Sequence, residues 1–191
     1  FVKLVLTTND PDGAGPCTLA RDTVMITLTA SPVTQTITGN ATVCLPSTGV
    51  VYSVPTQAGM TYTWSVPTGV TITGGQGTSS ITTTWSASAI TGSVCVTIAN
   101  SCGSVQPCKA VAVNVTPTAT ITGTTSICPG ANATISIALT GSSPYTVVYS
   151  NGTNNTTINT STSPYTFTVN PAASTTYTLV SVTNGTCAGT V

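Results

Sequence analysis

The chain repeats itself. Cys17, Cys102 and Cys187 stand 85 residues apart, Pro32 and Pro117 keep the same 85, and Cys44 and Cys128 are separated by 84. Landmarks that hold one period mark a tandem array, and such a period constrains the fold before any local pattern does. It divides the 191 residues into the C-terminal part of one repeat (1–32), a complete repeat (33–117) and most of a third (118–191). A unit of about 85 residues suits a small all-β sandwich, large enough for a modest core but helped by covalent staples.

Local patterning agrees. Residues Val94–Val115 alternate apolar and polar, turn at Asn-Ser-Cys-Gly and alternate again, which reads as two antiparallel strands and a tight loop. Weaker copies lie on either side, and the upstream one carries the turn-rich loop Asn9–Gly15. In the complete repeat the expected strands are Thr34–Thr38, Val50–Val54, Thr61–Val66, Val70–Thr73, Ser80–Trp85, Ser93–Ile98 and Lys109–Val115. Seven short strands with nothing of helical period predict a two-sheet sandwich. Tyr62, Trp64 and Val66 share one face, and Trp64 is expected in the core between the sheets. The third repeat reads as strands at Ala119–Thr122, Thr134–Leu139, Thr146–Ser150, Thr156–Asn159, Tyr165–Val169 and Thr175–Thr183. Its last strand is expected to be missing, which would leave a sheet edge to be covered by further chain or by a neighbouring copy.

Seven cysteines with no histidine and no Cys-x-x-Cys pair argue for disulfides in an oxidising compartment rather than for zinc. The third repeat keeps only Cys128 and Cys187, 59 apart, and the complete repeat has equivalents in Cys44 and Cys102, 58 apart. That shared pair predicts bonds within repeats, Cys44–Cys102 and Cys128–Cys187. Cys95 and Cys108 flank the hairpin turn symmetrically, as a cross-strand pair should. Cys17 aligns with Cys102, so its partner is expected outside this stretch. One geometric objection stands against the within-repeat scheme. In a sandwich of this kind the loop before the second strand and the loop after the sixth lie at opposite ends. Its rival is a bond between neighbours, Cys44–Cys187.

The remaining chemistry is sparse. Charged residues make up 3% of the chain, against roughly a quarter in an average soluble domain. Net charge is zero, so nothing marks a nucleic-acid surface. No apolar run is long enough for a membrane-spanning helix. A surface this neutral is expected to be packed in an assembly or coated with sugar. Without histidine or glutamate, neither a Ser-His-Asp arrangement nor a glycosidase carboxylate pair is expected, so the chain reads as a non-enzyme with no cofactor. Asp10 and Asp12, with Asp22 near, could form a weak calcium pair, but aspartates that cap their own turn are the preferred reading, and no metal is expected. Lys3 and Lys109 read as exposed lysines rather than isopeptide donors. Tyr52, Trp85, Tyr145, Tyr149 and Tyr165 could stack on a sugar, but alternating strand positions favour packing.

Longer stretches carry a resemblance. ITGNATVC, TGVVYSVPTQAGMTYTWSVPTGVTITGGQGTSSITTTW and SVCVTIANSCGS resemble the PKD-like, immunoglobulin-like repeats of very large surface proteins from Bacteroidetes. ICPGANATISIALTGSSPYTVVYSNGT and TSPYTFTVNPAASTTYTLVSVTNGTCAG are similar to companion repeats in the same proteins. The WDFGDG signature of the original PKD family is replaced here by Tyr62-Thr-Trp64-Ser-Val-Pro-Thr-Gly69, so no role of that motif carries over. The resemblance implies a secreted adhesin or filament protein of many repeats, exported by the type IX pathway and tied to adhesion or gliding. Asp22-Thr23-Val24 resembles the Asp-Ser/Thr-apolar acceptor of Bacteroidetes O-glycosylation and implies a glycan on Thr23. The Asn-x-Ser/Thr triplets, among them Asn40, Asn114, Asn132 and Asn184, are discounted as chance in a threonine-rich chain. The leading expectation is thus a stalk or filament segment of disulfide-stapled sandwiches, with partners in neighbouring repeats or copies of itself. An adhesive module for surface glycans and a polymerising filament subunit are the alternatives.

Overall fold

The computed structural model describes residues 2–7, 21–123 and 126–191, and every regular element in them is a strand. Strand β1 (Val2–Thr7) pairs antiparallel with β2 (Arg21–Ile26), with Val2 opposite Ile26, Leu4 opposite Val24 and Leu6 opposite Asp22. Because strand side chains alternate between faces, Val2, Leu4, Leu6, Val24 and Ile26 share one face. That face, which Asp22 also shares, is mostly apolar and exposed.

The middle sandwich contains β3 (Thr42–Leu45), β4 (Ser47–Ser53), β5 (Thr61–Ser65), β6 (Val70–Gly74), β7 (Ser80–Trp85), β8 (Gly92–Asn100), β9 (Gly103–Val105) and β10 (Cys108–Val115). One sheet has the order β3-β10-β8-β5, with β9 also on β8, and the other has the order β4-β7-β6. The alternation predicted from sequence is what fills the space between them. Strand β7 sends Ile81, Thr83 and Trp85 inward, and β8 sends Val94, Val96 and Ile98 against them. Trp64 is buried in the same core, its indole N–H donating to the Thr78 carbonyl at 2.8 Å.

The first strand of this sandwich differs from the sequence expectation of a single run at Thr34–Thr38. Thr38 bridges to Ser53 of β4, and the chain then crosses to the other sheet as β3, parallel to β10. The crossing turns on Gly39, whose φ of 138° lies in the region that favours glycine. A Cβ there would sit 2.4 Å from the Tyr52 ring.

The third domain follows after two residues. Its strands are β11 (Thr118–Gly123), β12 (Ala133–Thr140), β13 (Tyr145–Ser150), β14 (Asn155–Thr160), β15 (Tyr165–Val169) and β16 (Thr178–Thr183). They form two three-stranded sheets, β11-β12-β15 and β14-β13-β16, around Ile137, Leu139, Tyr145, Val147 and Val182. Among the described residues β16 has one strand partner, β13; Ala188 makes an isolated bridge to Thr183 of β16, and Thr190 makes one to Thr118 of β11.

Candidate functional site at the domain junction

Chemistry-bearing residues converge where the middle domain meets the third. Strand β10 passes into β11 through Thr116 and Pro117 alone. Thr116 is tied back to the middle domain, its N–H and hydroxyl both donating to the Leu45 carbonyl at 3.3 and 2.8 Å. The far end of the third domain returns to the same place. Thr190 N–H donates to the Pro117 carbonyl at 3.1 Å, and Ala119 N–H donates to the Thr190 carbonyl at 3.0 Å. Gly189 allows that approach, since a Cβ would meet the Pro117 oxygen at 2.0 Å.

Asn184 is the hinge pin of this contact. Its Oδ1 accepts the Cys187 N–H at 2.9 Å, and its Nδ2 donates to the Val115 carbonyl at 3.0 Å. Asn114 reaches the other way, donating from Nδ2 to the Thr186 hydroxyl at 2.5 Å. Both side-chain amides are therefore engaged in the junction, although sequence reading set the triplets that contain them aside as chance. Between them lies a disulfide, Cys44–Cys187, with Cα atoms 5.7 Å apart and a sequence separation of 143. Cys44 stands opposite Asn114 in the parallel β3–β10 register, and Cys187 is almost fully buried, its Sγ 3.9 Å from the Asn114 carbonyl oxygen.

This bond overturns the within-repeat pairs Cys44–Cys102 and Cys128–Cys187. The reason is the one the sandwich imposes. Cys44 lies on β3 beside the outgoing linker, whereas Cys102 follows β8 at the end that faces Thr29 and Ala30 of the incoming chain. A disulfide spans Cα atoms only about 4.4–6.8 Å apart, so cysteines at opposite ends of one domain cannot meet. Cys102 and Cys128 are exposed and unbonded among the described residues. The second disulfide, Cys95–Cys108, joins residues directly opposite each other on β8 and β10, 13 apart in sequence.

The other candidates scatter. Cys17, Asp10 and Asp12 lie outside the described residues. Among the described residues no group of His, Cys, Asp or Glu is placed to hold a metal ion. Thr23 is exposed on β2, and the Asp22 carboxylate accepts its N–H at 2.8 Å. Tyr52, Trp85 and Tyr145 are core residues, while Tyr149 and Tyr165 pack half-buried against Phe167 with ring centroids 4.8 and 6.0 Å away. The five aromatics weighed as a sugar platform therefore do not share an exposed face. No described helix is long and apolar enough to cross a membrane.

Sequence reasoning missed the threonine inside the middle core. Thr83 donates its hydroxyl to the Val50 carbonyl at 2.9 Å and accepts the Trp85 indole N–H at 3.0 Å, fully buried. Its only signal was position, two residues before a tryptophan on the same strand face.

Residues 30–113 match the family model of a PKD-like domain, and residues 116–191 match that of the Ig-like domain of the nucleoporin POM152. No curated protein matches the chain. Among solved structures, the full ectodomain of mouse nectin-like molecule 4 is similar at 18% identity and a TM-score of 0.34, over 83% of this chain. The chain spans 62% of that ectodomain. A segment of titin domains is similar at 13% identity and a TM-score of 0.41, over 92% of this chain and 68% of its own. The titin domains Z1Z2 in complex with telethonin are similar at 15% identity and a TM-score of 0.32, over 83% of this chain and 94% of their own. PKD-like and Ig-like domains are commonly structural or adhesive and typically non-enzymatic, and the two disulfides are consistent with an extracellular setting. Two sandwiches in series, each matched by its own domain model, give this chain a tandem β-sandwich fold of the PKD-like and immunoglobulin-like type.

Proposed function

We propose that the chain is a structural segment, the stalk or filament part of a large secreted surface protein that serves adhesion or gliding. In this reading β1 and β2 are the closing hairpin of a preceding repeat. Neighbouring repeats are the partners, Thr23 carries a glycan, and the parent protein is of the Bacteroidetes type IX-secreted kind that the sequence resembles. The observation that carries it is the covalent junction. A linker of two residues, reciprocal asparagine contacts and the Cys44–Cys187 bond join consecutive domains at several points rather than one. A binding module needs no such junction, whereas a rod under tension gains from it.

The mechanics follow from the position of the sulfurs. Tension applied to the ends enters at Cys44 and leaves at Cys187, bypassing everything between. At about 3.3–3.6 Å per extended residue, a bypass of 143 positions withholds about 500 Å of extension. Single-molecule stretching of the oxidised chain is expected to fall short of its full contour by that length, and a thiol reductant should release it. Equal extension with and without reductant would contradict a load-bearing role.

A further inference from the structure

Three contacts of the junction described above recur at the other end of the middle domain, without its disulfide. Asn100 Oδ1 accepts the Cys102 N–H at 2.9 Å, as Asn184 Oδ1 accepts that of Cys187 at 2.9 Å. Asn100 Nδ2 donates to the Ala30 carbonyl at 2.6 Å, as Asn184 Nδ2 donates to that of Val115 at 3.0 Å. Cys102 Sγ lies 3.5 Å from the Thr29 carbonyl oxygen, and Cys187 Sγ lies 3.9 Å from that of Asn114. Ala30 and Val115, Thr29 and Asn114, and Cys102 and Cys187 are each 85 residues apart. Asn100 and Asn184 are 84 apart, so an asparagine and a cysteine make the same three contacts about one period earlier.

In the completed junction the carbonyl that Cys187 touches belongs to Asn114, and Asn114 lies beside Cys44 across a parallel strand pair. Cys102 is delivered to the matching carbonyl of Thr29, on the chain that continues β2. The bonded partner there would stand on a strand parallel to that continuation, as β3 stands to β10. Cys128 is the opposite half. It follows Cys44 by 84 residues and is exposed in the third domain. Its neighbour Ile127 is half-buried, whereas the equivalent Val43 pairs with Val113 of β10 and is almost fully buried. Residues 126–128 border an open groove with Ile135, Pro171 and Tyr177.

We propose that Cys102 and Cys128 are the two open halves of a periodic clamp that joins each repeat to the next along one chain. Cys102 bonds a cysteine equivalent to Cys44 in the repeat that β1 and β2 close, and Cys128 bonds a cysteine equivalent to Cys187 in the repeat beyond the third domain. The proposal rests on the tandem-stalk reading and goes past it by assigning both unpaired thiols. Each bond forms as two thiols give up two protons and two electrons to an oxidised protein disulfide, which leaves as a dithiol.

The test is a disulfide map of the protein from its natural source. Free thiols are first blocked with N-ethylmaleimide in denaturant, and the unreduced protein is then digested with pepsin and sequenced by mass spectrometry. Cys102 and Cys128 are expected unblocked, each cross-linked to a peptide from another repeat, and a denaturing gel without reductant is expected to show monomer and no band of dimer mass. Maleimide on Cys102 or Cys128, a Cys17–Cys102 or Cys102–Cys128 peptide, or a cross-linked dimer that reductant dissolves would each overturn it. A Cys44–Cys187 peptide in the same digest would leave the stalk reading standing whatever the fate of the other two, because that reading is tested by extension.

Discussion

At the scale of single residues, the middle domain is specified by a few polar atoms that its core has to satisfy. Thr83 serves both Val50 and Trp85 from full burial. Thr83→Val keeps the shape and strands an indole N–H and a carbonyl, which costs about 1–3 kcal/mol for such a group. Trp64 and Trp85 are the only tryptophans in the chain and both lie in this domain, so fluorescence during urea unfolding reads it alone. Thr83→Ser should recover most of the loss. Tyr52 behaves differently. Burial pushes its phenol up to about 12 from an ordinary value of 10.0. The folded state therefore favours the protonated phenol: this contribution is present in full below about pH 10 and is lost as pH rises through 12. Absorbance at 295 nm is expected to show one tyrosine ionising late, with the fluorescence transition weakening over that window. A Tyr52→Phe chain should lose the late step. Trp64 was legible because a large apolar residue in an alternating strand has one place to go. Thr83 was not, because a threonine among threonines looks the same facing in or out.

At the scale of elements, six of the seven strands expected in the middle domain, β4 to β8 and β10, follow from period-two patterning, and the departures have physical causes. Strand β3 is four residues long and sits between a turn and Pro46. Alternation over four residues is indistinguishable from loop, and only its parallel pairing with β10 makes it a strand. The β8–β10 pair shows the opposite case, since symmetry about the turn was enough to oppose Cys95 and Cys108. That bond closes a short loop, and in the chain-entropy model a closure of this size stabilises by about 3 kcal/mol. Cys95→Ala with Cys108→Ala is expected to lower the tryptophan-monitored urea midpoint of the middle domain accordingly. An unchanged midpoint would mean that the hairpin is held by its neighbours rather than by sulfur.

At the scale of the molecule, the tandem order was written in the cysteine and proline spacing, but the pairing was not. Repeats carrying cysteines 58 and 59 apart fit bonds within a domain and bonds between domains equally well on spacing alone. What decides is which end of the sandwich each cysteine occupies, and that depends on β3 crossing between sheets, a feature four residues long. The asparagines of the junction were equally hidden, since Asn114 and Asn184 read as two of many Asn-x-Thr triplets. The clamp also changes what a broken backbone means. Cys44–Cys187 makes residues 45–186 part of a closed covalent ring. A protease that cuts one peptide bond anywhere in that ring opens it without separating the two sides. The nicked protein stays in one piece until a second cut or a reductant reaches it. For a protein exposed to extracellular proteases, most of the chain is thereby spared the consequence of a single hit.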